Sequence, residues 1–324
     1  MKKIYQMNTE NKSFLDFSLL LKEEGIKNHL FMLELKNENL LYIDPWDGYK
    51  TEQQQQQIID EACNNFWYFA REVIKWRDLD GSLYHTKLDR GNCAMYFNSL
   101  NNISTWRSNI RQTYSSISVI TFLIWRWLSG YYTDMDAITR DISASKQLKT
   151  VVSNIINSLP EYFNIKKHES YKYFGIIDND KNKIHFNSSR VIIKNGSNID
   201  SDIAFFDGGE FIPNLKSLIE NRNLNTREIN NTKFTIVNSV IGDDKAPSSL
   251  FAEGYIDSML KWKDTFYDTD ISINNVIINN YHNRSVYICH PYNLLGFSEE
   301  WFKNYSNMID DENIIRRELL AQRR

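Results

Sequence analysis

Cysteine is scarce in this chain. Cys63, Cys93 and Cys289 are spread over 324 residues. An odd number at wide spacing excludes a disulfide framework and fits a reducing compartment. No CxxC or HxxxH spacing occurs, and the adjacent pair Cys289-His290 falls short of a zinc ligand set. Proline (5) and glycine (12) are also few, which excludes collagen-like and linker-rich classes. Long apolar runs are missing. The longest, Val119–Leu128, carries Arg126 and is too short to span a bilayer. Met1-Lys2-Lys3-Ile4-Tyr5 lacks the apolar core of a signal peptide. Neither charge sign dominates: 38 Lys and Arg stand against 41 Asp and Glu, a net charge of −3. No global basic field points to nucleic acid, so any such contact is local.

What the chain does have is apolar and aromatic mass. Hydrophobic residues make up 42% and aromatics 14%, ample material for a core. The length fits one large domain or two.

Periodicity divides the chain. Phe14 to Glu24 reads as a helix stopped by Gly25, and Leu30 to Leu35 as a strand-like run. From Thr51-Glu52, apolar residues recur at three- and four-residue spacing as far as Ile74, which predicts one long helix. Leu88 to Asn101, Ser116 to Trp127 and Ser143 to Leu159 read as further helices, and Thr133 to Ile142 is ambiguous. Strands are expected at 103–110, 183–186, 190–194, 203–206, 233–238, 273–278 and 285–289. Helices are expected at 248–263, 298–308 and 312–322. This alternation predicts a three-layer α/β fold with a mainly parallel sheet over 101–324, preceded by a mostly helical segment over 1–100.

Two segments sit where nucleotide chemistry would. The first is Arg111-Gln112-Thr113-Tyr114-Ser115-Ser116, between an expected strand and helix. A phosphate loop needs glycines to turn its N–H groups inward, a Lys for the β/γ-phosphates and a hydroxyl for Mg²⁺. Here only the hydroxyl of Ser116 is present, and its default role is a helix N-cap. The second is Ile203-Ala204-Phe205-Phe206-Asp207, four apolar residues delivering a carboxylate to a sheet edge. Gly208 follows where a water-orienting Glu is usual, and Glu210 lies two residues further on. Trp76, Trp106, Trp125 and Trp127 read as core residues.

With these motifs in order, the chain resembles the ATPase domain of large terminase subunits, the DNA-packaging motors of tailed bacteriophages. The resemblance runs through Asn65-Phe66-Trp67-Tyr68-Phe69-Ala70-Arg71-Glu72, Leu88-Asp89-Arg90-Gly91, the Arg111-Gln112-Thr113 loop, and Phe206-Asp207-Gly208-Gly209-Glu210. It continues through Asn238-Ser239-Val240-Ile241-Gly242-Asp243, Phe266-Tyr267-Asp268, Leu295-Gly296-Phe297-Ser298-Glu299-Glu300-Trp301 and Arg316-Arg317-Glu318-Leu319. It implies a P-loop nucleoside-triphosphatase fold. Residues 111–116 stand at the Walker A loop, Asp207, Gly208 and Glu210 at Walker B, and Ser239, Gly242 and Asp243 at the coupling segment. Ser116 and Asp207 stand at the metal position. Mg-ATP is the implied cofactor.

The departures fall on chemistry. Tyr114 stands where the family has Gly, Ser115 where it has Lys, and Gly208 where it has the catalytic Glu. Losing the Lys removes a charge-assisted contact of ~1.5–3 kcal/mol. The resemblance therefore implies a pseudo-ATPase binding module of phage DNA packaging, without the C-terminal nuclease domain. Its implied partners are the portal, an active terminase subunit or double-stranded DNA, in the host cytoplasm and away from membranes. The alternative is a functional ATPase subunit with divergent Walker motifs, a separately encoded nuclease, and Lys233 or Lys245 replacing the missing lysine.

Overall fold

The computed structural model describes residues 3–77, 81–108, 110, 114–130, 132–170, 175–179, 181–226, 233–239, 246–262 and 285–320. β1 (Ile4–Tyr5) and β2 (Glu34–Leu35) pair antiparallel, and α1 (Lys12–Glu23) runs between them. Phe14, Phe17 and Leu21 form its buried face. The run from Leu30 is not the strand its composition suggests: Phe31–Leu33 is a 3-10 turn, and only Glu34–Leu35 pairs. α2 (Glu52–Asn64) opens with a reciprocal capping box between Thr51 and Gln54. The single long helix expected as far as Ile74 breaks at Asn65. Its backbone is extended there, and its side chain caps α3 (Phe66–Tyr68), which widens into a π segment at Phe69–Val73. The apolar spacing continues across the break, so periodicity alone cannot see it.

β3 (Lys75–Arg77) and β4 (Leu83–His85) form a hairpin, and α4 (Arg90–Leu100) follows. Then come β5 (Ser104–Ser108), α5 (Ser115–Leu128), β6 (Thr133–Thr139) and α6 (Ile142–Asn157). β7 (His168–Ser170), β8 (Gly175–Asp178) and β9 (Asn182–Ser188) make an antiparallel meander. Residues 190–194, expected as strand, lie in α7 (Ser189–Asn195). Gly196 at φ +60 ends that helix, with its N–H donating to the Ile193 carbonyl and that of Ser197 to the Ile192 carbonyl. This C-cap outweighs the β-propensity of Val191, Ile192 and Ile193.

β10 (Ile203–Asp207), α8 (Leu215–Thr226), β11 (Phe234–Ser239) and α9 (Ser249–Asp257) complete the alternation. α8 has no sequence expectation behind it. The helix expected to reach residue 263 ends at Asp257, because Leu260–Lys261 (β12) pairs with β13 (Ser285–Cys289). α10 (Glu299–Ser306) and α11 (Glu312–Glu318) close the described chain. The strand expected at 273–278 lies outside the described residues.

Among the described residues the main sheet has the order β12-β13-β5-β11-β10-β6-β9-β8-β7. From β12 to β9 every pairing is parallel; β8 and β7 are antiparallel. This is the three-layer α/β architecture that the alternation predicts. Side chains alternate between two cores. Phe205, Ile203, Phe234 and Ile236 face α5, α4 and the N-terminal helices, and one continuous cluster runs from Phe14 to Ile288. Trp106, Ala204, Phe206 and Val237 face the other way, against Leu215, Ile219, Ala252 and Ile256. Among the described residues no helix is long and apolar enough to cross a membrane.

Arg222 holds the N-terminal ends of β10 and β11 together. It is buried and donates to the Ser201 carbonyl at 2.8 Å, the Asp202 carbonyl at 3.1 Å, the Phe234 carbonyl at 2.8 Å and Thr235 Oγ1 at 2.9 Å. Burial depresses its pKa to about 10. An Arg fork satisfies four oxygens that one ammonium cannot. Arg222→Met should lower stability by about 3 kcal/mol or more by orphaning buried carbonyls. Urea unfolding checks this, and Arg222→Lys should recover only part of the loss.

Candidate functional site

β5 and α5 frame the loop in which Arg111, Gln112 and Thr113 lie outside the described residues. Tyr114 is the first described residue before α5. Its backbone is left-handed, φ 47° and ψ 34°. Glycine adopts that geometry freely, whereas a β-carbon there costs roughly 1–2 kcal/mol. Tyr114 makes no side-chain cap. Its ring is 51% exposed and lies on Trp76 of the β3–β4 hairpin, with centroids 5.1 Å apart. Trp76 in turn packs on Tyr84 at 5.3 Å. Trp76 is thus half-buried in a three-ring stack, unlike the fully buried Trp106 and Trp127.

Ser116 does not cap the helix as expected. Its Oγ donates to Asp207 Oδ1 at 2.7 Å, joining the first turn of α5 to the C-terminal end of β10. Burial pushes the Asp207 carboxyl above its ordinary value, and the Ser116 bond opposes that. Ser115 is buried in the same turn, which carries no cationic side chain.

After Asp207 the backbone turns sharply. Gly208 has φ +72°, and a β-carbon on Gly209 would lie 2.5 Å from Val237 Cγ1. The first needs a left-handed residue and the second has no room for a side chain. Glu210 follows in a 3-10 turn and is 1% exposed. Its carboxyl is therefore packed in protein and not presented to solvent.

β11 lies between the two motif strands. Register places Asp207, Asn238 and Arg107 in one cross-strand row on the α4–α5 face. Arg107 is buried, donates to Asn92 Oδ1, and lies 3.8 Å from Asp89 at the N-terminus of α4. A β-carbon on Gly91 would meet Arg107 Nη2 at 2.7 Å, so glycine makes room for the guanidinium. Asn238 is 2% exposed, and neither amide atom has a hydrogen-bond partner among the described residues. Sequence reasoning quoted Asn238 without making it a site residue; its register opposite Asp207 is what marks it. Ser239 Oγ accepts from the buried Trp106 indole at 2.7 Å, so this hydroxyl is tied into the core. Gly242 and Asp243, with Lys245, lie outside the described residues. Lys233 is placed at the opposite end of β11, bonded to Asp200 Oδ1 at 2.6 Å. A strand of six residues, at ~3.3 Å each, separates it from Ser239.

No protein-family model and no curated protein matches the chain. Solved structures do. The large terminase of bacteriophage HK97 superposes with a TM-score of 0.51 at 10% identity, over 76% of this chain and 53% of that one. The chain carries the large-terminase ATPase fold. It spans about half the length of that terminase. A variant of the Thermus phage P74-26 large terminase ATPase domain is also similar, with a TM-score of 0.49 at 12% identity, over 72% of this chain and 93% of that domain.

The residues present fit only part of Mg-ATP. A hydroxyl and a carboxylate 2.7 Å apart suit a hydrated Mg²⁺. The phosphate half does not fit among the described residues. Tyr114 carries a ring where backbone must approach, the first turn of α5 has no cation, and Arg107 is committed to Asn92 and Asp89. No group of three or more His, Cys, Asp or Glu among the described residues is placed to hold a metal.

Because the folded state raises the Asp207 pKa, it holds a proton more readily than the unfolded chain. The ionised carboxylate costs stability once the pH rises above its unfolded value. Asp207→Asn keeps the acceptor for Ser116 and removes that cost. Its Tm should exceed that of the native chain at neutral pH. The difference should vanish in acid below the ordinary carboxylate range, as scanning calorimetry across pH would read.

Proposed function

We propose that this protein is a terminase-like pseudo-ATPase, a binding module of phage DNA packaging that keeps the motor fold without turnover. In this reading 101–324 is the ATPase-like core and 1–100 a mostly helical N-terminal segment. Its surfaces contact the portal, an active terminase subunit or double-stranded DNA in the infected host's cytoplasm.

One observation carries the reading. The Ser116–Asp207 bond is kept while Tyr114, in a glycine-like backbone, is stacked on Trp76 above it. The frame of a nucleotide site persists while its phosphate-binding side chains are replaced. Two further features support it. Glu210 is packed in protein, and Gly208 holds a backbone that a Glu would strain. Without a water-orienting carboxylate, a tenfold rate loss accrues for each ~1.36 kcal/mol of lost transition-state stabilisation.

Calorimetry with Mg-ATP tests it on the native chain and on the double variant Tyr114→Gly with Ser115→Lys, circular dichroism confirming both folds. The native chain should give no binding heat, and the double variant should gain it. Micromolar binding by the native chain overturns the proposal and favours a functional ATPase with a substitute cation.

A further inference from the structure

The face of β6 and β9 that looks away from α5 is incompletely covered. Along β9, Asn182, Ile184, Phe186 and Ser188 are buried, whereas Lys183, His185 and Asn187 are half-buried. Beside them on β6 is Asp136, in register with His185. Here α7 and the chain after it leave a cavity of about 200 Å³. Asp136, Asn187, Asn195 and Asn198 supply its polar lining, and Ile192 and Ile199 its apolar walls.

Asp136 is a carboxylate bonded to a neutral amide. Its Oδ1 accepts from Asn187 Nδ2 at 2.5 Å, and no ion-pair partner lies within 4 Å among the described residues. The charged groups nearby are otherwise engaged. His185 lies 4.0 Å from Asp134, in register with Lys183, and Arg222 is bonded to Ser201, Asp202, Phe234 and Thr235. Burial pushes the Asp136 carboxyl up, with His185, Ser201, Asn187 and Arg222 offsetting part of that. A half-buried carboxylate of this kind, when ionised, gains most from a cation that also donates hydrogen bonds.

The lining selects the cation. A bare metal ion would need several charged or imidazole ligands, and no such group of three occurs among the described residues. Three carboxamides around one carboxylate instead offer several oxygens to a planar fan of N–H donors. Two isoleucines beside them suit an aliphatic stem. We propose that this cavity binds a guanidinium group on an alkyl chain, from a free arginine-class small molecule or an arginine side chain of a partner protein. The proposal is independent of nucleotide binding and of the packaging role.

The test is calorimetry on the full chain with ethylguanidinium, ethylammonium, free arginine and a terminally blocked arginine peptide. Ethylguanidinium should bind, and more tightly than ethylammonium. Asp136→Asn should weaken it about tenfold or more, in line with the loss of a charge-assisted hydrogen bond. Ser197→Phe, which fills the cavity from its rim and leaves the carboxylate intact, should do the same while circular dichroism stays native. Tighter binding of free arginine supports the small-molecule source, and tighter binding of the blocked peptide supports the protein source. Absence of binding by every guanidinium probe, or binding unchanged in both variants, overturns the proposal.

Discussion

The hydrogen bond from Ser116 to Asp207 ties the first turn of α5 to the C-terminal end of β10. Around it the rest of the site is arranged. β11 lies between the strand that leads into the loop and the strand that carries Asp207, so loop and carboxylate meet only across that middle strand. Asn238 fills the gap in the row, and Arg107 ends it, buried against α4. Polar groups this deep are costly unless satisfied. Asp207 and Arg107 have partners in the protein, whereas the Asn238 amide has none among the described residues.

The two ends of the sheet behave differently for the same physical reason. At the N-terminal ends of β10 and β11, Arg222 gathers four oxygens into one guanidinium. At the C-terminal ends the strands finish at a carboxylate, a buried amide and two glycines. An open α/β sheet places its ligands outside the carboxyl ends of its strands, where loops diverge. Here that edge carries the Ser116–Asp207 bond and the glycine turn that follows it. Tyr114 retains a left-handed backbone that its side chain disfavours, and the Trp76 stack offsets part of the cost. Gly208 and Gly209 mark the reverse case, a backbone that no longer tolerates a side chain.

Much of this was legible along the chain. Alternating apolar segments were enough to expect the parallel three-layer sheet, because strands buried on both faces must be apolar throughout and crossovers need helices between them. Ser116 and Asp207 were each legible as candidate site residues through their places in two motifs, but not that they meet. The break at Asn65 was not, since the apolar spacing runs through it, nor was the helical state of Arg190–Lys194, decided by a C-cap outside the run. The role of Trp76 was equally hidden, because a stacking partner 38 positions away leaves no periodic trace.

The amino-acid sequence by itself determined the fold class, the order of the motifs and the residue types within them, Tyr114, Ser115 and Gly208 included. These are properties of residue type and local spacing. Only the tertiary structure decided which polar groups meet: Ser116 with Asp207 in place of a helix cap, Ser239 with Trp106, Lys233 with Asp200 at the far end of its strand, and Asp136 with the Asn187 amide. Such partnerships depend on register and crossover between strands distant in sequence, and the energy of each is set by burial that only the packed molecule supplies.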